Sequence, residues 1–369
     1  AQRMMQPGNP LPGITVQEFE RFRLGLEDFV EVEDAAEGLG PAYNGTGCSA
    51  CHNSPAIGGI SPVAGIRAGH LNDEGEFEVI GGDTLFHLFS IPNHACQPII
   101  PSEVNVVARR VSIPLFGAGL VEAIADETLL ALEDPNDLDN DGVSGRAAKI
   151  IDVSTGQERI GRFGWKAQHA TLLAFGADAY RNEMGITNDL FRDEAAAGID
   201  REVLELCDLQ PDPEDNPDPS TGLRGIDNFE AFMKFLAPIE RGPITQESAW
   251  GENLFNSLGC TACHIPVLKT GPATSRPFNE REVPLFSDLL LHDVGTGDGI
   301  AQEAAFPNEI RTPALWGLRL RRPLLHNGSA ATPEQAIEAH RAEAELSRIK
   351  FEELSEQERA ALLSFLDSL

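Results

Sequence analysis

Cys48-Ser49-Ala50-Cys51-His52 and Cys260-Thr261-Ala262-Cys263-His264 are the two stretches that decide how this 369-residue chain is read. Each is C-x-x-C-H, the attachment signature of c-type haem. Two thiols three positions apart can form thioethers to neighbouring vinyl groups of one porphyrin, and the adjacent histidine then lies under the iron. A thioredoxin-type redox pair would follow a strand and would not ask for a trailing histidine twice. Zinc held by two Cys-x-x-Cys pairs would leave both histidines unexplained. The pattern predicts two covalently bound c-type haems, attached at Cys48, Cys51, Cys260 and Cys263, with His52 and His264 as proximal iron ligands.

The flanks agree. Thr15-Val16-Gln17-Glu18 is a capping box followed by Phe19, Phe22, Leu26 and Phe29 at helical spacing, so a helix precedes the first motif. Thr245 opens a second such helix, with Trp250, Leu254, Phe255 and Leu258 on one face, running into Gly259-Cys260. Ser355-Glu356-Gln357-Glu358 starts a closing helix with Leu362, Leu363, Leu366 and Leu369 apolar. Between the motifs, about 210 residues apart, lies a long middle region. Pro211-Asp212-Pro213-Glu214-Asp215-Asn216-Pro217-Asp218-Pro219 makes neither helix nor central strand and reads as an exposed acidic loop. Asp227-Asn228-Phe229-Glu230 then caps a helix carrying Phe229, Phe232, Met233 and Leu236, where Met233 is read as core rather than as a ligand. The expected fold is mostly α: two cytochrome c-like haem domains, a loop-rich middle and few short strands. The first haem domain is placed at residues 1–210, the acidic Pro-rich loop at 211–224 and the second haem domain at 225–369.

Lys+Arg 28 against Asp+Glu 58 gives a formal charge of −30, a field that repels nucleic acid and anionic membrane surfaces and favours cationic partners. No run approaches the roughly 18 apolar residues of a membrane helix, so no span is expected. Haem attachment of this kind happens outside the bacterial cytoplasm. A periplasmic or otherwise exported protein is therefore expected, its leader not being part of a chain that opens Ala1-Gln2-Arg3-Met4-Met5. In that compartment the two remaining cysteines, Cys96 and Cys207, read as a disulfide between the loop Pro92-Asn93-His94-Ala95-Cys96 and the acidic loop, two buried reduced thiols being the alternative.

Asp137-Leu138-Asp139-Asn140-Asp141-Gly142 matches the opening half of an EF-hand loop, which makes Asp137, Asp139 and Asp141 calcium-ligand candidates. The twelfth position is Ala148, so a shortened calcium loop and a plain Asx-rich turn both stay open. Of nine histidines, His340 stands out: Thr332-Pro333-Glu334-Gln335 caps a new helix and His340 projects from its third turn, a rigid mount for an axial ligand.

Several further motifs resemble one family. Pro114-Leu115-Phe116-Gly117-Ala118-Gly119-Leu120-Val121-Glu122, the Asp-rich loop to Ser144-Gly145-Arg146 and Gly161-Arg162-Phe163-Gly164-Trp165-Lys166 are similar to the bacterial di-haem oxidoreductases of peroxidase type. So are Phe286-Ser287-Asp288-Leu289-Leu290-Leu291-His292-Asp293, Arg311-Thr312-Pro313-Ala314-Leu315-Trp316-Gly317 and Leu325-His326-Asn327-Gly328; the di-haem cytochrome c peroxidases are a more distant likeness. The resemblance implies that His340 is the distal ligand of the second haem and His326 is structural. At the first haem it implies distal ligation by His70 or an open iron. It further implies Glu122 as acid–base residue, against a surface or helix-capping carboxylate, and Trp165 as a bridge between haems, against core packing. The activity implied is peroxide reduction at the first haem with electrons from a small donor protein or cytochrome through the second. Oxidation or modification of a partner protein, and plain electron carriage, are the alternatives.

Overall fold

The computed structural model describes residues 5–91 and 96–369. Its helices are α1 (Val16–Phe29), α2 (Ala118–Glu122), α3 (Asp126–Leu130), α4 (Leu172–Met184), α5 (Arg201–Cys207), α6 (Gly225–Phe235), α7 (Gln246–Ser257), α8 (Pro333–Glu338), α9 (Glu345–Glu352) and α10 (Glu356–Leu366). Both C-x-x-C-H motifs start as single 3-10 turns, Cys48–Ala50 and Cys260–Ala262.

The two haem-motif units are built alike. In each, the helix before the motif is crossed by a closing helix: α1 by α6 and α7 by α10. A glycine sits at each crossing because a side chain would overlap the partner's backbone carbonyl, that of Asn228 opposite Gly25 and that of Ala361 opposite Gly251. Each first helix also sends one aromatic to both the closing helix and the motif histidine. Phe29 lies 4.5 Å from Phe232 and 6.1 Å from His52, and Phe255 lies 5.2 Å from Phe365 and 6.0 Å from His264 (ring centroids). Phe232 and Phe365 are fully buried, and truncating either to alanine costs about 3–5 kcal/mol.

This places α6, expected in the second unit, in the first. Its apolar face (Ile226, Phe229, Phe232, Met233) fits α1, and the cluster they share continues through Leu268, Phe278, Leu285 and Trp316. The second core gathers Phe255, Leu258, Phe351, Leu362, Phe365 and Leu366. Arg224, not Asp227, is the α6 N-cap; Asp227 accepts its backbone N–H at 2.9 Å.

The fold is also less helical than expected: 30% helix and 15% strand, a mixed rather than mostly α chain. Ala64–Leu71 pairs antiparallel with Val106–Val111 and, on its other edge, with Leu85–Phe86. Ala148–Asp152 and Gln157–Gly161 form a hairpin. The strand signal lies in Val106-Val107-Ala108-Arg109-Arg110-Val111 and in Lys149-Ile150-Ile151, β-branched runs whose burial alternates along the pleat. Cys96 and Cys207 are joined, their Cα atoms 6.3 Å apart, within disulfide range; residues 92–95 of the loop that carries Cys96 lie outside the described residues. None of the described helices is long and apolar enough to cross a membrane.

Candidate functional site

Two cavities of similar size each contain one C-x-x-C-H motif. The first is lined by Cys48, Cys51 and His52, with Phe29 and Met233 from the helix pair and Asp178, Asn182 and Glu183 from α4. The second is lined by Cys260, Cys263 and His264, with His340, Arg311 and Arg321.

In all three candidate iron ligands the ring is set the same way. Nδ1–H donates to a backbone carbonyl: His52 to Gly59 at 2.9 Å, His264 to Phe286 at 3.1 Å and His340 to Ala336 at 2.7 Å. That hydrogen bond fixes the tautomer and leaves Nε2 as a free lone pair. Burial holds all three below the usual imidazole range, His264 at about 4 with His340 as its next cause. Neutral imidazoles are what iron coordination requires. His340 lines the same cavity as His264, although α8 ends at Glu338 and His340 follows its C-cap, Ala339, rather than riding on a third turn.

Both cavities also hold arginines suited to an anionic group. Arg110 is buried in the first cavity, and its Nη2 has no hydrogen-bond partner. Its Nε is held by Asp298 at 2.6 Å and Nη1 by Gln302 at 2.6 Å. In the second cavity Arg311 and Arg321 are pulled down to about 10 by burial, and the polar partners of both are backbone carbonyls. An orphaned guanidinium N–H and two buried arginines without carboxylates fit an anionic macrocycle.

The distal candidates of the first cavity differ from those expected. His70 lies on the strand Ala64–Leu71, away from the cavity, its Nδ1 donating to the Glu103 carbonyl at 2.6 Å. Among the described residues lining the first cavity, His52 is the one histidine. Glu122 is not on the cavity either. Its carboxylate accepts the Leu172 backbone N–H at 2.7 Å at the start of α4 and faces Lys234 at 3.8 Å, the helix-capping alternative. It ends α2, whose other residues are packed into the core.

The buried acids that do line the cavity come from α4, capped by Thr171 and ended by Gly185 in the left-handed conformation. Burial pushes the Glu183 carboxyl up; its Oε2 accepts from Asn44 Nδ2 at 2.8 Å. Burial would also raise Asp178, but His169 at 3.0 Å and the Arg181 and Arg67 guanidiniums outweigh it and hold the carboxyl at about 2. One acid is thus kept protonated more readily than the other, the pairing needed for proton transfer. Nothing in the spacing of α4 marks these positions, because helix and cavity meet only in three dimensions.

Trp165 lines both cavities. It is buried, and its Nε1–H donates to the Val111 carbonyl at 2.8 Å, while its own carbonyl accepts from Arg311 N at 2.8 Å. Asp137, Asp139 and Asp141 offer carboxylate oxygens within 4.8 Å of one another on an exposed loop. Each also accepts a backbone N–H of that loop, from Gly142, Asp141 and Val143 respectively.

Residues 94–369 match the family described as "Di-haem oxidoreductase, putative peroxidase". Among characterised proteins the chain is similar to cytochrome c551 peroxidase of Nitrosomonas europaea, 28% identical over 140 residues, 37% of this chain and 38% of that one. It is also similar to methylamine utilization protein MauG of Methylorubrum extorquens, 28% identical over 154 residues, 36% of this chain and 39% of that one. The matched segments thus span about two fifths of each relative. Among solved structures, Kuenenia stuttgartiensis hydrazine synthase aligns over 100% of this chain and 96% of that chain at 15% identity, with a TM-score of 0.43.

Proposed function

The chain belongs to the di-haem oxidoreductase family, and we propose that it is an exported di-haem c-type oxidoreductase that reduces peroxide in the first cavity with electrons received through the second. The observation that carries the reading is the asymmetry of the two cavities: the first has His52 as its one histidine, with the carboxyls of Asp178 and Glu183, whereas the second has His264 and His340, each with Nδ1 tied to a backbone carbonyl, beside His292 and His326. A haem in each supplies a one-electron redox centre, and two such centres match the two electrons that peroxide reduction to water consumes.

The chain's own residues divide the work. Cys48 and Cys51, and Cys260 and Cys263, give the thioether anchors; His52, His264 and His340 present Nε2 to iron. Arg110 Nη2 would hold a haem carboxylate in the first cavity, and Arg311 and Arg321 would do so in the second. Glu183 carries a proton on Oε1, which has no partner among the described residues, and delivers it to the leaving peroxide oxygen. Asp178, ionised and held by His169, orients Asn182, whose Nδ2 donates to it at 2.8 Å, at the mouth shared with a neighbouring surface cavity, the route for peroxide. Trp165 bridges the two cavities for electron transfer. The donor is a small basic protein or cytochrome that complements a −30 surface. A calcium ion held by Asp137, Asp139 and Asp141 would rigidify the Asp-rich loop.

The test is steady-state peroxide consumption by the haem-loaded protein with a reduced small cytochrome as donor. Turnover that falls at least ~100-fold in Glu183→Gln supports the reading. Oxidation of a partner protein without cytochrome turnover would favour the modifying enzyme, and neither reaction would leave an electron carrier.

A further inference from the structure

In the wall of the second cavity stands a buried charged triad that the proposed reaction does not use. His292, 2% exposed, directs Nε2 at Asp288 Oδ2 and Nδ1 at Glu343 Oε2, both at 2.8 Å. Carboxylates only accept, so both ring nitrogens donate and the ring is an imidazolium. Burial opposes that charge, but the Asp288 and Glu343 carboxylates hold the group well above the usual imidazole range. With two carboxylates on one cation, each bond is charge-assisted and shielded from solvent.

The two ends of the triad reach opposite sides of the cavity. Asp288 donates its backbone N–H to the Cys263 carbonyl at 2.9 Å, and the same stretch supplies the Phe286 carbonyl that orients His264. Glu343 stands three residues after His340. Its Oε1 accepts from Asp293 N at 3.0 Å and its Oε2 from Ser144 N at 3.0 Å, while Arg341 N and Glu343 N bond the carbonyls of Val294 and Asp293. The short α8 ends before His340, so no helix carries that histidine.

We propose that Asp288, His292 and Glu343 form a strap that fastens the His340 segment to the C-x-x-C-H side of the second cavity and so holds both axial ligands of that haem on one iron. They act as positioning residues: both ring nitrogens of His292 are taken up by the two carboxylates, which leaves it no lone pair for iron. The strap explains why a histidine on an irregular segment can serve as a permanent ligand, which an electron-transfer site needs and a peroxide site does not.

The inference rests on His340 being the distal ligand, and the experiment separates the two. Electron paramagnetic resonance spectra of the oxidised, haem-loaded protein are compared for His340→Ala, His292→Leu and the isosteric Glu343→Gln, each with and without added imidazole. The expected result is that His340→Ala abolishes the second low-spin signal, and that the other two variants lose part of it to a high-spin signal which imidazole converts back. Their first-haem signal should be unchanged and the reduction potential of the second haem shifted. If His340→Ala remains low-spin, the ligand assignment itself fails. If His340→Ala turns high-spin while Glu343→Gln and His292→Leu keep the full low-spin signal and potential, the strap is refuted. Should His292→Leu fail to take up haem, Glu343→Gln alone decides.

Discussion

Replacing Asp298 by asparagine strips a buried carboxylate from two buried cations. Arg110 Nε lies 2.6 Å and Lys166 Nζ 3.2 Å from Asp298, with side-chain exposures of 7%, 0% and 2% for Arg110, Lys166 and Asp298. Burial raises the Asp298 carboxyl, but the two cations outweigh it and hold it below the usual range; Lys166 itself is pulled down to about 8 by burial. Removing one partner of such a group costs about 3–5 kcal/mol, because the remaining charge stays buried. Lys166 keeps the carbonyls of Phe306, Pro307 and Glu309, and Arg110 keeps Gln302, which places Asp298→Asn near the lower end, about 3 kcal/mol. The assay is urea unfolding of the haem-loaded protein, with Lys166→Met and the double variant completing a cycle. Taking away one stranded cation should return at least ~1 kcal/mol of the loss. A single-variant cost below about 1 kcal/mol, or strictly additive losses, would refute the argument that this ion group is what aims Arg110 into the first cavity.

Three further outcomes follow from the same geometry. Asp178 has a folded pKa near 2 against an ordinary 3.8, so it contributes roughly 2 kcal/mol that is fully present above about pH 4 and lost as pH falls through 2. The stability gap between the wild type and Asp178→Asn, read by urea unfolding at pH 5 and pH 2.5, should narrow accordingly, and a constant gap would contradict it. Trp165→Phe should keep both haems and lose about 1 kcal/mol with the Val111 hydrogen bond, while slowing electron transfer between haems in flash or stopped-flow traces. His70→Ala should leave the visible and resonance spectra of the first haem unchanged and stability within about 0.5 kcal/mol; loss of a low-spin signal would restore His70 as a ligand.

The parts of this molecule written in short sequence spans were legible before any coordinates. The two C-x-x-C-H motifs, the capping boxes at Thr15 and Ser355 and the apolar faces behind them describe local geometry, and each appears as a turn or helix where expected. His340 stands out through its cap and its resemblance, although the helix expected to carry it stops short. What failed depended on long-range packing. The ownership of α6 is decided by its fit to α1 across some 200 residues of chain, which no periodicity encodes. The strands at Ala64–Leu71 and Val106–Val111 pair across about 40 residues, and Ala64–Leu71, with two glycines and no strict alternation, carries little strand signal of its own. Glu122 and His70 sit in the expected segments, but neither lines the first cavity: Glu122 caps α4 and His70 bonds the Glu103 carbonyl. Glu183 and Asp178 reach the cavity because α4 runs beside it, a relation between a helix and a motif more than 100 residues earlier.

The central claim is that the two cavities hold haems in different coordination, one open and one closed. It is tested most directly by electron paramagnetic resonance of the oxidised, haem-loaded protein during a redox titration, before and after peroxide. The account predicts one high-spin ferric signal that peroxide consumes and one low-spin signal of a bis-histidine haem. Two low-spin signals, unaltered by peroxide in both the oxidised and the half-reduced protein, would contradict it.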